Sequence, residues 1–215
     1  AHCFSPANRD VVYVDTGLIY TGYVFHSPDE FVAHLVETHA QLGQAGRRLL
    51  FKPHPDHSRT DIPRRLEAAG IEIIANEQLV ARLQNCCACI VEPSTMAGIP
   101  ALMGLPLMLA QYGKLSGQRF GRVLMSYPRA RSLTCLRQFE ELLEAVGREP
   151  MSEATRAWIQ QNSGPLPSEQ MPGRVARVVR SVIATSTGIR GPAGGVHARV
   201  AGAPRVTDGH RESVS

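Results

Sequence analysis

"LLFKPHPDHS", Leu49 to Ser58, is the stretch on which the fold of this chain turns. A short apolar run ends in a lysine, two prolines, two histidines and an aspartate, so charge and proton chemistry follow a segment built for burial. Strands of a parallel sheet covered on both faces read as continuous apolar runs, and such sheets bind ligands just beyond the carboxyl ends of their strands. Arg48–Lys52 is accordingly expected to be a strand and Lys52-Pro53-His54-Pro55 a ligand-facing loop.

The pattern repeats on both sides. Upstream, Val11–Val14 reads as a strand, followed by a glycine-containing loop, Asp15–His26. Ser27-Pro28-Asp29-Glu30 then combines a Ser cap, Pro at the first helical position and Glu three residues after the cap, which predicts a helix to about Gly43. Phe31, Leu35 and Leu42 form its apolar stripe. Downstream, Asp61–Ala69 is expected to be a helix stopped by Gly70, and Ile71–Ala75 a strand. Asn76 is expected to cap a helix over Glu77–Gln84, after which come a strand at Cys87–Val91, a helix from Ser94 to Met103 and a strand at Leu105–Ala110.

This alternation predicts an α/β fold, a Rossmann-like parallel sheet with helices on both faces, whose loops after Val14, Lys52, Val91 and Ala110 share one rim. Arg122–Tyr127 is read as a last strand. Leu136–Val146, Ser152–Gln161 and Pro172–Ala184 are read as helices wrapping the sheet. The expected organisation is a Rossmann-like domain over residues 1–130, a helical segment over 131–184 packing on it, and a tail over 185–215 too poor in large apolar residues to order.

With 215 residues, 43% of them hydrophobic, the chain is long enough to bury a core. No apolar run approaches the ~18 residues of a membrane span, and Ala1–Asp10 lacks the layout of a signal peptide, so a cytoplasmic location is expected. A formal charge of +4 and a pI near 9.0 come from scattered arginines rather than a basic stripe with interleaved aromatics, which argues against a nucleic-acid partner. Among 23 Lys and Arg residues only Lys52 and Lys114 are lysines, both in expected loops. Of the five cysteines, Cys86, Cys87 and Cys89 crowd one apolar run and are read as buried reduced thiols rather than a zinc or redox site. No metal or cofactor is expected.

Two rim segments carry the chemistry. The prolines around His54 restrict its backbone and remove donors, so its imidazole is expected to face a ligand in a set direction and to donate to a phosphate oxygen as negative charge develops, with Lys52 adding a point charge. His57 is expected to face solvent, and Asp15 to be a turn residue. In "VEPSTMAGIPALMGLP", Val91 to Pro106, Ser94 and Thr95 open a helix directly after a strand, which offers hydroxyls and first-turn N–H groups to an anion. Glu92 is expected to accept from ribose or sugar hydroxyls, and Lys114 in "QYGKLSG" to reach the rim.

"KPHP", followed roughly forty residues later by "EPST" and then "GLP", resembles the nucleotide-binding half of GT-B glycosyltransferases with a His-Pro and a Ser/Thr motif. That group includes bacterial sialyl- and polysialyltransferases, capsule Kdo transferases and, more distantly, teichoic acid glycerophosphotransferases. The resemblance spans roughly Val11–Ala110 and implies that His54, Ser94 and Thr95 hold the donor phosphate. It further implies a nucleotide-sugar donor, CMP-linked first and UDP-linked second, a glycan acceptor in surface polysaccharide synthesis, and peripheral membrane association. Relatives bring the acceptor site and an acidic catalytic base from a second, N-terminal GT-B domain, so the expectation is that this chain needs that domain or a partner subunit for turnover. Asp15-Thr16-Gly17 echoes the acidic-acidic-Gly motif of that other domain but lies too close to His54 in sequence to be the same element. The alternatives are a GT-B-shaped sugar-nucleotide epimerase and a non-catalytic nucleotide-binding module or fragment.

Overall fold

Val11, Val12, Tyr13 and Val14 are closed to solvent on both sides, as the central strand of a covered sheet must be. They belong to β1 (Asp10–Val14). The computed structural model describes residues 7–18, 22, 24–147 and 151–163. The other strands are β2 (Arg48–Lys52), β3 (Glu72–Ile73), β4 (Cys86–Val91), β5 (Leu107–Ala110) and β6 (Ala130–Leu133). They form one sheet of order β3-β2-β1-β4-β5-β6 in which every neighbouring pair is parallel. The fold is therefore the expected Rossmann-like α/β arrangement.

The helices are α1 (Pro28–Gln44), α2 (Ile62–Ala68), α3 (Leu79–Leu83), α4 (Gly98–Leu102), α5 (Arg122–Met125), α6 (Phe139–Gly147) and α7 (Glu153–Ser163). They cover both faces. Val11, Tyr13, Leu49 and Phe51 pack with Phe31 and Leu35 of α1, Leu66 of α2 and Phe139 and Leu143 of α6. Val12, Val14 and Leu50, pointing the other way, pack with Leu79 and Leu83 of α3, Ala101 of α4 and Trp158 of α7. No helix among the described residues is long and apolar enough to cross a membrane.

The start of α1 follows its sequence signals. Ser27 Oγ accepts from the Glu30 N–H, Pro28 opens the first turn, and the Glu30 carboxylate reaches back to the His26 N–H at 2.9 Å. At the end of α2, Gly70 takes φ +83°, and the Ile71 N–H closes on the Leu66 carbonyl.

Four elements differ from expectation. Arg122–Tyr127 is not a strand. Its residues 122–125 form α5 with Val123 and Met125 exposed, and the last strand is β6 instead. As an edge strand bearing arginine and serine, β6 lacks the apolar run of a central strand. Only Glu72–Ile73 of the stretch Ile71–Ala75 pairs, because that stretch lies at the opposite edge. Asn76 caps nothing: it begins a 3₁₀ turn, Asn76–Gln78, with no side-chain cap, and α3 follows at Leu79. Ser94 does cap a helix start, but a 3₁₀ turn at Thr95–Ala97 precedes α4.

β4 also bulges. Asp10 pairs with Cys86 but Val11 pairs with Ala88, so Cys87 is the extra residue. Cys87 and Ala88 consequently share one face, and Cys86 and Cys89 the other. α6 and α7 match the expected Leu136–Val146 and Ser152–Gln161 helices to within a few residues. The expected helix at Pro172–Ala184, the tail over 185–215, Cys3 and parts of the loop Asp15–His26 lie outside the described residues.

Candidate functional site

Strand order reverses between β1 and β4, the place where a doubly wound sheet opens a crevice beyond its strand ends. A crevice of about 650 Å³ lies there. Asp15 and Thr16 from the loop after β1, Lys52, Pro53, His54 and Pro55 at the end of β2, Asn76 after β3, and Pro93, Ser94 and Thr95 after β4 form its polar side. Leu79, Val80, Met96 and Ile99 form an apolar wall. Lys52, His54, Ser94 and Thr95, separated in sequence, thus meet on one cavity.

Lys52 is almost closed off, and its Nζ donates to the Pro53 carbonyl at 2.6 Å. Burial lowers its pKa, while the nearby Asp15 charge opposes that shift. His54 is half-buried, and its Nδ1 accepts from the Asp56 N–H at 3.3 Å. Ser94 Oγ accepts from the Met96 N–H at 3.0 Å, which uses the hydroxyl as a cap and leaves its proton to donate. Thr95 is exposed beside it. An ammonium, an imidazole and two hydroxyls on one side of a cavity suit an oxyanion, and the apolar wall opposite suits a flat or aliphatic group.

Two expected site residues lie elsewhere. Glu92 is fully closed to solvent. Its Oε1 accepts from Tyr13 Oη at 2.6 Å, and its Oε2 from Thr16 Oγ1 at 2.7 Å and the Thr16 N–H at 3.2 Å. It ties the loop after β1 to the end of β4 from inside the protein. Burial, with the Asp15 charge adding to it, pushes the Glu92 carboxyl up to about 7, against hydrogen bonds from Thr16 and Tyr13 that favour its ionised form. Lys114 does not line the crevice; its Nζ pairs with Glu30 Oε2 at 2.9 Å, at the start of α1.

His57 overturns its expectation, and Asp15 goes beyond its own. His57 is fully buried rather than solvent-facing, because the 3₁₀ turn His57–Arg59 swings its ring back against Phe31 and onto Asp15. Asp15 is 2% exposed and does more than turn the chain: His57 Nδ1, the His54 N–H and the Gly17 N–H all converge on its carboxylate. The sequence carried one signal for this pair, a carboxylate at one strand end and a second histidine close to another. Only the turn decides where that histidine points.

Among the described residues no three His, Cys, Asp or Glu side chains gather to hold a metal ion. No protein family matches the chain, and no curated protein matches it significantly.

Proposed function

We propose that this domain binds the nucleotide-activated donor of an inverting, metal-independent GT-B glycosyltransferase that builds a surface polysaccharide. The observation that carries this reading is the meeting of the "KPHP" and "EPST" loops on one crevice at the switch point of the sheet. The two loops are those on which the resemblance rests. In this reading His54 donates to the phosphate oxygen that gains charge as the sugar–oxygen bond breaks, and Lys52 supplies a fixed positive charge beside it. Ser94 and Thr95 hold the same phosphate, and the Leu79–Val80 and Met96–Ile99 wall receives the apolar surface of the nucleoside. The acceptor and the catalytic base come from a second domain in glycosyltransferases of this type.

Calorimetric titration of the chain with CMP and UDP tests the reading, with CMP expected to bind more tightly. Ser94→Ala is expected to weaken that binding by roughly 0.5–2 kcal/mol, as loss of a cap or single hydrogen bond does. His54→Ala is expected to weaken it too and, in the enzyme completed by its second domain, to slow cleavage of a CMP-sugar by on the order of a hundredfold. Melting curves establish that both variants are folded. Wild-type binding and cleavage in a folded His54→Ala protein would return "KPHP" to the role of a rigid loop.

A further inference from the structure

Pro53 and Pro55 have no N–H, so the His54 N–H is the sole backbone donor of that three-residue stretch. It is given to Asp15 Oδ2 at 2.9 Å. The His54 carbonyl is held from the other side by the His57 and Ser58 N–H groups at 3.0 and 3.1 Å. Asp15 is itself fixed, its own N–H donating to the Lys52 carbonyl at 3.0 Å and its Oδ1 accepting from the Gly17 N–H at 2.8 Å. His57 Nδ1 completes the set on Oδ2, and both side chains of that pair are wholly buried. A buried carboxylate with these donors converging on it is held to one position, since moving it would strand a charge in the interior.

Gly17 transmits the constraint to the ring. It takes φ +77°, a backbone open to glycine at little cost, and a Cβ placed on it would stand 3.1 Å from His54 Nδ1. The ring is thus packed on one edge by the loop that Asp15 shapes. On that edge Nδ1 accepts from the Asp56 N–H at 3.3 Å, which favours a proton on Nε2, while Asp56 Oδ2 at 3.4 Å competes for a proton on Nδ1, so the balance between the two follows the direction in which the ring is held.

We propose that Asp15, held by His57, is the positioning residue for His54. The buried pair sets the direction and tautomer of the imidazole at the crevice. The inference rests on the reading above for what His54 touches, but the state of the ring is measurable without any ligand.

The experiment records imidazole ¹⁵N resonances of the full chain, with the His54 signals assigned by their loss in His54→Gln. Wild type is expected to show the Nε2–H pattern. His57→Asn places an amide N–H where Nδ1 stands and is expected to keep that pattern; His57→Phe fills the space without a donor and is expected to shift His54 toward a mixture of tautomers. Asp15→Asn is expected to do the same and to weaken CMP binding about tenfold, as one misdirected hydrogen bond does. A folded Asp15→Asn protein with wild-type His54 resonances overturns the proposal. Should that variant fail to fold, the His57 pair decides, and identical His54 resonances in His57→Asn and His57→Phe overturn it. Absence of CMP and UDP binding by wild type would sink the nucleotide reading alone, leaving the ring signals to judge the positioning role.

Discussion

Glu92 illustrates how a single residue's environment redirects its chemistry. From sequence it is a carboxylate at a strand end, the kind of group that reads ligand hydroxyls. In the structure Tyr13 and Thr16 occupy its oxygens and solvent is excluded. The consequence is a pH dependence of stability. Between the carboxyl's ordinary value of 4.5 and the value of about 7 to which burial raises it, the folded chain holds a proton that the unfolded chain has lost. The contribution of Glu92 is therefore fully present below the unfolded value and declines as pH rises through the folded one. Glu92→Gln imitates the protonated acid, its amide donating to Tyr13 Oη. Urea unfolding at about pH 5 and about pH 8 should show wild type losing stability relative to the variant at the higher pH. A difference between the two proteins that does not change with pH would show that Glu92 is ionised throughout.

At the scale of elements, central strands were easier to read than edges. β2 keeps its expected bounds, Arg48–Lys52, because its apolar run Leu49–Phe51 has the composition that burial on both faces demands. β6 escapes the same test, since an edge strand tolerates Arg131 and Ser132, while the more apolar Arg122–Tyr127 stretch folds partly as α5. β4 carries a prediction of its own. Burial pushes the Cys86 and Cys87 thiols up to about 12 and that of Cys89 well above its ordinary value, so none offers a thiolate near neutral pH. Cys135 is exposed. Brief treatment of the native chain with iodoacetamide should label Cys135 and spare the three in β4, with all four labelled after denaturation, as read by peptide mass spectrometry. Labelling of any β4 cysteine as fast as Cys135 would mean that the strand opens readily.

At the scale of the whole molecule, the sheet order is what gives the crevice its place, since loops after β1, β2 and β4 become neighbours only around the reversal. A ligand bound there alone should stabilise the fold by mass action. CMP at roughly a hundred times its Kd adds about 2.7 kcal/mol, which in a domain of this size raises Tm by about 5–10 °C. His54→Ala at the same CMP concentration should show a smaller rise. Equal rises in both proteins would place the bound nucleotide away from His54.

The parallel α/β class, the start of α1, the central strands and the loops that line the crevice are all legible in the amino-acid order. Each of these rests on local physics: apolar runs, caps and the restrictions of proline act within a few residues and are written there. Tertiary structure alone decided that His57 turns inward, that Asp15 gathers donors from both loops, that Glu92 is sealed beneath the rim and that Lys114 pairs with Glu30. Those outcomes depend on contacts between residues such as Asp15 and His57 or Thr16 and Glu92, 42 and 76 positions apart. A polar side chain at a strand end has the same local signature whether it faces a ligand or a partner inside the protein. Which of the two it meets is set only when the strands assemble.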